Sequence, residues 1–332
     1  MNGSVHAENN RPGHIKSACF PSCDERKKKS SGCRRSAAAF QWTDPIPCPP
    51  VERHHVRKTR VPVPKKRRLQ GETMSIRIGS CTLPAGELKY RIADAEKDLP
   101  VIFIHGAAGD SRQFHYQLEY FKDKRTVIAV DLPGHGRSVV DGLPGMKDYT
   151  NAVAAVIEAE KIERCVLAGH SMGGGVILEA YRSLPEKIAG LVFLSTGAKL
   201  PVSDLVFDFL EKDYNVFCEF LVKLSYSRAL PEEVRQMVLK EAQSLEPVRV
   251  KNDFRICASF DYTDMLKEVG VPSIVLACTG DKMVPHDVSR TLAAGMPGAR
   301  LEVCEGEGHM PYFERHEEVN ERISDFVRGL NA

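Results

Sequence analysis

The sequence contains no long apolar run. No segment approaches the roughly 20 consecutive apolar residues that a transmembrane helix needs, and the N-terminal region lacks the continuous apolar stretch of a secretory signal peptide. We therefore predict a soluble, cytoplasmic protein with no membrane partner.

The sequence also lacks the cysteine spacing of a metal site or a disulfide scaffold. The four cysteines among the first 50 residues do not form the two closely spaced pairs typical of zinc ligands. Cys165, Cys278 and Cys304 fall in or beside apolar runs, where a thiol packs as a small apolar side chain. We expect no metal, no disulfide and no cofactor.

Charge is unevenly distributed along the 332 residues. Residues 1–73 hold 16 Lys and Arg against 6 Asp and Glu, a net charge of +10, whereas the remainder carries −8. The basic segment has too few apolar residues to offset its ordering entropy, so we predict a disordered tail. No folded nucleic-acid-binding module accompanies the charge, so nucleic acid is not an expected partner. Because the folded pattern starts close to Met74, the alternative hypothesis is that translation starts there and the tail is not made.

The remaining chain alternates apolar strands with amphipathic helices, which predicts a largely parallel sheet covered on both faces. The predicted strands lie near 75–81, 86–92, 100–104, 126–131, 164–168, 190–195, 272–278 and 300–304. Helices are predicted over 113–121, 146–160, 171–184, 287–296 and 316–330.

The interval 197–269 breaks this rhythm. It has no strand-like run and includes amphipathic helical stretches over 205–224 and 232–244. We predict an α/β fold with an eight-stranded, mostly parallel sheet built from residues 74–196 and 270–332. Residues 197–269 are predicted to form a helical lid inserted after the sixth strand.

A Gly-x-Ser-x-Gly motif stands at 169–173, where an apolar strand gives way to a helix. Such a tight turn strains the serine backbone and exposes its hydroxyl at the head of the helix. With the loops 105–109, 131–138, 279–285 and 306–311, the motif forms an ordered set that resembles the α/β-hydrolase family. The resemblance implies a hydrolase whose nucleophile, acid and base follow in the order Ser, Asp, His.

The chemistry of acyl transfer assigns these roles to particular residues. Ser171 must lose its proton to a base as it attacks, and His309, after the last predicted strand, is the candidate base. Asp281, just after the penultimate strand, is the candidate carboxylate that orients the imidazole. Some relatives place this acid after the sixth strand, but 195–199 has no carboxylate, which leaves Asp204 as the alternative.

An oxyanion intermediate requires preformed N–H donors. Met172, directly after the serine, is predicted to supply one backbone N–H, and the resemblance implies Ala107 as the second. We refer to residues 105–109 as the oxyanion loop.

Other polar residues near these motifs are not predicted to act in the chemistry. None of His105, His135 and His170 follows the last strand, so all three are interpreted as structural or as supporting the residues that act in the chemistry. Arg112 and Gln113 begin a helix after the oxyanion loop, where solvated side chains are favoured over substrate contact.

The predicted activity is hydrolysis of a small or medium carboxylic ester through an acyl-enzyme on Ser171. Serine at the elbow argues against haloalkane dehalogenases and epoxide hydrolases, which use aspartate. Carbon–carbon bond hydrolases and cofactor-free perhydrolases share the triad and remain alternatives, as does a non-catalytic small-molecule binding protein. Apolar lid side chains that would suit an acyl chain, or simply pack the lid onto the core, are Phe207, Phe209, Leu210, Tyr214, Phe217, Phe220 and Tyr226.

Overall fold

A computed structural model describes residues 75–95, 99–306 and 308–330 of the chain. The predicted basic tail and the predicted start at Met74 lie outside the described residues.

One sheet of nine strands runs through the described part of the chain. Its strands are β1 (Arg77–Leu83), β2 (Gly86–Ala93), β3 (Val101–Ile104), β4 (Val127–Asp131), β5 (Val139–Val140), β6 (Cys165–His170), β7 (Ile188–Leu194), β8 (Ser273–Cys278) and β9 (Arg300–Cys304). The order is β1-β2-β4-β3-β6-β7-β8-β9, with β5 paired to β2. From β4 through β9 every neighbouring pair is parallel, whereas β1, β2, β4 and β5 pair in antiparallel fashion through β2. The predicted mostly parallel sheet is therefore confirmed, with the two-residue β5 as an unpredicted addition.

Helices cover both faces of the sheet. The α-helices of the described residues, of which α4 to α7 form the segment inserted between β7 and β8, are α1 (His115–Phe121), α2 (Met146–Ala159), α3 (Met172–Ser183), α4 (Asp204–Lys212), α5 (Tyr214–Ser225), α6 (Glu232–Gln243), α7 (Pro247–Ser259), α8 (His286–Gly295), α9 (Pro311–Glu314) and α10 (His316–Gly329). Among the residues described, each helix is too short or too polar to span a membrane.

The core forms one layer on each side of the sheet. Successive residues of β3 show the alternation, since Ile102 and Ile104 belong to one buried cluster and Val101 and Phe103 to the other. All four side chains are inaccessible to solvent. Because both faces are buried, only the ends of the strands are free to hold functional side chains, and the carboxyl ends of the parallel strands meet at one edge.

Helices α4 to α7 lie between β7 and β8, within the interval 197–269. The single helix predicted over 205–224 is wrong, because the chain breaks at Asp213, whose φ of −157° is extended. The Asp213 carboxylate accepts hydrogen bonds from the backbone N–H groups of Asn215 and Val216 and so starts α5 as a separate helix.

Candidate active site

Ser171 occupies the turn between β6 and α3 with φ 50° and ψ −116°. A positive φ is strained for a residue with a Cβ and persists only where the surroundings enforce it. The close packing is evident at Gly173, where an added Cβ would lie 2.4 Å from the carbonyl oxygen of Ile104. The turn therefore has the geometry that the sequence motif predicts.

Backbone hydrogen bonds hold this strained turn in place. The Ser171 N–H donates to the Leu194 carbonyl at 3.0 Å. Its own carbonyl accepts from Gly174 N at 2.8 Å and from the Thr196 hydroxyl at 2.6 Å. Thr196 is fully buried and lies just beyond β7, so the neighbouring strand helps to fix the serine.

Asp281 and His309 are in direct contact although 28 residues separate them in the sequence. Asp281 follows β8, His309 follows β9, and His309 Nδ1 lies 2.8 Å from Asp281 Oδ2. The other carboxylate oxygen accepts from the backbone N–H groups of Met283 and Val284, both at 2.9 Å. The Asp281 side chain is 1% exposed, so it has a fixed orientation toward the imidazole.

The His309 loop lies against the Ser171 turn through His170. The His170 and His309 ring centroids are 4.6 Å apart, and His170 Nε2 donates to the His309 carbonyl at 3.0 Å. Within the described residues, no hydrogen bond joins Ser171 Oγ to the His309 ring. Catalytic hydrogen bonds are often long in the absence of substrate and tighten when it binds.

The oxyanion loop lies directly beside the serine. A Cβ built on Gly106 would lie 3.1 Å from Ser171 Cβ and 2.9 Å from His170 Nδ1, so only glycine allows this approach. Ala107 follows Gly106, and Met172 is the first residue of α3, where an N–H has no intrahelical acceptor. In the described ranges, neither Ala107 N nor Met172 N donates to a protein acceptor.

Comparison of the sequence with known proteins identifies the family to which the chain belongs. The sequence profile of the Alpha/beta hydrolase family matches residues 101–322, more than half of the chain. The chain belongs to the alpha/beta hydrolase family. The predicted family, hydrolase class and fold class are therefore confirmed.

Three similar proteins illustrate the breadth of this alpha/beta hydrolase family. The chain is 24% identical over 244 residues to the uncharacterized hydrolase YugF of Bacillus subtilis, which covers 69% of this chain and 89% of YugF. It is 28% identical over 250 residues to the 2-hydroxy-6-oxo-6-phenylhexa-2,4-dienoate hydrolase of Comamonas testosteroni, covering 69% and 87% of the two chains. A solved thermophilic esterase from Thermogutta terrifontis has a similar fold, with a TM-score of 0.69, 24% identity and coverage of 77% of this chain and 100% of its own.

The three histidines that were predicted to be structural, His105, His135 and His170, are buried and have protein partners. His105 Nε2 accepts from Leu132 N at 3.1 Å. Burial and the charge of the neighbouring His135 lower the pKa of His105 to about 4. Burial also lowers the pKa of His170 well below its ordinary value. Both rings are therefore neutral at pH 7, and their nitrogens contact Gly106 O and Leu132 N in His105, and His309 O and the Tyr312 hydroxyl in His170.

The other polar residues considered from the sequence are Asp204, Arg112 and Gln113, and none of them forms a hydrogen bond or ion pair with Asp281 or His309 in the described structure. Asp204, the alternative acid, is exposed at the start of α4. Arg112 is ion-paired with Asp110 at 2.6 Å and with Glu241 of α6 at 2.7 Å, so its guanidinium is already occupied by carboxylates. Gln113 accepts from the Tyr312 hydroxyl at 3.2 Å. The Arg112 side chain is 39% exposed, so the predicted solvated helix start also carries two ion pairs that the sequence did not indicate.

The sequence interpretation missed Asp253, a carboxylate of α7 that is 1% exposed. It accepts hydrogen bonds from Ala108 N at 2.9 Å, His135 Nε2 at 2.8 Å and the Tyr149 hydroxyl at 2.7 Å. A signal existed in the sequence, since Asp253 lies at helical spacing from the buried apolar residues Val250, Ile256 and Cys257. A carboxylate on an apolar helix face needs buried partners.

Proposed function

We propose that this alpha/beta hydrolase cleaves a small or medium carboxylic ester by acyl transfer to Ser171. The observation that supports the proposal best is the buried 2.8 Å contact between His309 and Asp281, on the loop that packs against the strained Ser171 turn. A serine hydroxyl is a weak nucleophile, and this pair supplies an oriented base for it.

In the proposed mechanism, His309 Nε2 accepts the Ser171 proton as Oγ attacks the ester carbonyl. Asp281 holds the Nδ1–H tautomer and stabilises the imidazolium that forms. The resulting oxyanion accepts hydrogen bonds from Ala107 N and Met172 N. His309 then donates its proton to the departing alcohol and activates the water that releases the acid.

The α4–α7 segment has an apolar cluster next to the proposed oxyanion donors and acid. This placement supports the proposals that the segment is a lid and that the acyl group of the substrate is apolar. Its buried cluster, centred on Leu210 and Phe217, packs against Ala107 and Ala108 of the oxyanion loop and against Met283 beside Asp281. Leu210 and Phe217 are 7% and 2% exposed, so they act in packing, which was one of the two predicted roles of the lid side chains. Phe207 and Phe209 are only partly buried.

The lid also contacts the proposed base. Ser225 is the last residue of α5, and its backbone carbonyl accepts a hydrogen bond from His309 N at 2.8 Å. The Ser225 hydroxyl lies 3.2 Å from Met283 Sδ. Movement of α5 would therefore displace both the loop of the proposed base, His309, and the loop that follows the proposed acid, Asp281.

A carbon–carbon bond hydrolase is the second candidate. It is favoured by the 28% identity to the dienoate hydrolase of Comamonas testosteroni over 250 residues. The same serine, base and oxyanion donors serve both reactions, so the substrate distinguishes them.

The test is hydrolysis of p-nitrophenyl esters of increasing acyl length, with 2-hydroxy-6-oxohexa-2,4-dienoates assayed in parallel. Ser171→Ala should abolish turnover. Ser195→Ala is a matched control, because Ser195 also has a positive φ, lies just beyond the adjacent strand β7, and has a buried hydroxyl without a partner in the described structure. Ester turnover that survives in Ser171→Ala would contradict the proposal, and turnover of the dienoates alone would replace it with the second candidate.

A further inference from the structure

We propose that Asp253 is a positioning residue that holds the oxyanion loop in its active shape from the lid helix α7. The inference rests on the proposed function, because it concerns the loop that supplies the Ala107 donor. Asp253 touches no reacting atom and acts only through the backbone of Ala108.

The backbone of Ala108 explains why the loop needs support. Its φ of 56° lies in the left-handed region, which costs about 1 kcal/mol or more for a residue with a Cβ. Within the loop, the one backbone hydrogen bond that closes the turn runs from Gly109 N to Gly106 O at 3.2 Å. The bond from Ala108 N to Asp253 Oδ2, at 2.9 Å, is shorter and has a charged acceptor, so it is the stronger constraint.

The carboxylate itself is fixed by two further donors. Tyr149 of α2 donates to Oδ1 at 2.7 Å, and His135 Nε2 lies 2.8 Å from Oδ2. His135 Nδ1 lies 3.1 Å from the Pro133 carbonyl, so both ring nitrogens face acceptors and the ring is suited to the charged form. Burial alone would lower the pKa of His135, but the Asp253 charge and the hydrogen bonds to Asp253 and the Pro133 carbonyl together raise the pKa above its ordinary value.

The consequence is a direct link between the lid and the oxyanion site. Asp253 lies 145 residues from Ala108 in the sequence, in a helix of the inserted segment. Ala107 and Ala108 also pack against the apolar cluster of the same segment. A shift of α7 would turn the peptide that precedes Ala108 and with it the neighbouring Ala107 N–H.

The test compares Asp253→Ala with Asn252→Ala in the full chain. Asn252 is a matched control in the same helix, because its side chain donates to the Pro144 carbonyl at 2.8 Å and anchors α7 without contacting the loop. Removing one oxyanion donor from other enzymes lowers kcat by about 100- to 1,000-fold. Since Asp253 acts indirectly, we expect a fall of roughly 10- to 100-fold in kcat, with KM changed less than about threefold.

Two further measurements separate positioning from general loosening of the fold. The affinity for an alkylboronic acid, which forms a tetrahedral adduct with serine, should fall in parallel with kcat in Asp253→Ala and remain unchanged in Asn252→Ala. The melting temperature of each variant is recorded alongside. Equal losses of kcat in the two variants, or an unchanged kcat in Asp253→Ala, would overturn the proposal.

If Asp253→Ala fails to fold, Asp253→Asn decides the question. Its amide oxygen is a weaker acceptor for Ala108 N, so kcat should fall several-fold, and a wild-type kcat would overturn the proposal. If the wild-type protein cleaves no ester, the proposed function fails separately. The rate at which a fluorophosphonate labels Ser171 then tests Asp253, because phosphonylation also places an oxygen among the oxyanion donors.

Discussion

Replacement of Asp281 by asparagine tests the proposed orientation of His309 most directly. Asp281 Oδ1 accepts from Met283 N and Val284 N, and Oδ2 faces His309 Nδ1. The asparagine oxygen will keep the two backbone bonds, because the reverse orientation would place an NH₂ group against two N–H donors. The NH₂ group then faces Nδ1, so the imidazole takes the tautomer with its proton on Nε2 and cannot accept the Ser171 proton.

The expected magnitude follows from this tautomer change. The same substitution in a serine protease triad lowers kcat by about 10⁴-fold, which corresponds to about 5.5 kcal/mol of transition-state stabilisation. The two retained backbone bonds limit the loss of folding stability to about 1–2 kcal/mol. Esterase activity should therefore nearly vanish in a protein that remains folded.

The assay combines p-nitrophenyl ester turnover with urea unfolding of the same preparations. Asp204→Asn is the control, since Asp204 is exposed at the start of α4, and its kcat should stay within about twofold of wild type. A kcat of Asp281→Asn within tenfold of wild type, at unchanged stability, would refute the role of Asp281. A large loss in Asp204→Asn would transfer that role to Asp204.

Two predictions concern the residues around the serine. Thr196→Val removes the 2.6 Å hydrogen bond to the Ser171 carbonyl. The free energy of unfolding, measured with urea, should fall by about 1 kcal/mol, and an unchanged value would contradict the assigned bond. The pKa of His105 is about 4 in the folded protein, against 6.5 when unperturbed, so the unfolded chain binds more protons as pH falls below 6.5. Between pH 7 and pH 5, His105 should therefore lower the free energy of unfolding by about 2 kcal/mol, and His105→Gln should lack this decrease. The same pH dependence of the free energy of unfolding in both proteins would show that His105 does not titrate in this way.

The local pattern of apolar residues predicted most strands of the sheet, because apolar runs are short-range properties of the sequence. The predicted strand 126–131 is observed as Val127–Asp131, and 300–304 as Arg300–Cys304. The two-residue strand Val139–Val140 was missed, since so short a segment has no periodicity and is held by its pairing with β2. The break at Asp213 was missed because the capping carboxylate overrides an otherwise continuous amphipathic pattern.

The candidate site was predictable where function follows from position at the end of a strand. Ser171, Asp281 and His309 each follow a parallel strand, and their order along the chain indicated the roles that are proposed for them. The residues that support them, such as Thr196 and Asp253, have no comparable motif. Their partners come from elements distant in the sequence, and a polar residue in a helix or loop does not indicate which backbone group it will meet.

The sequence by itself determined the fold class, the strained turn at Ser171 and the residue types available for acyl transfer. These depend on local sterics and on hydrophobic periodicity, which act within a few residues. Only the tertiary structure decided that His309 meets Asp281 rather than Asp204, and that the carboxylate of Asp253 in α7 meets the backbone of Ala108, 145 residues away. Those choices depend on strand order and helix packing, which bring the ends of β3, β6, β8 and β9 and the helix α7 to one edge of the sheet.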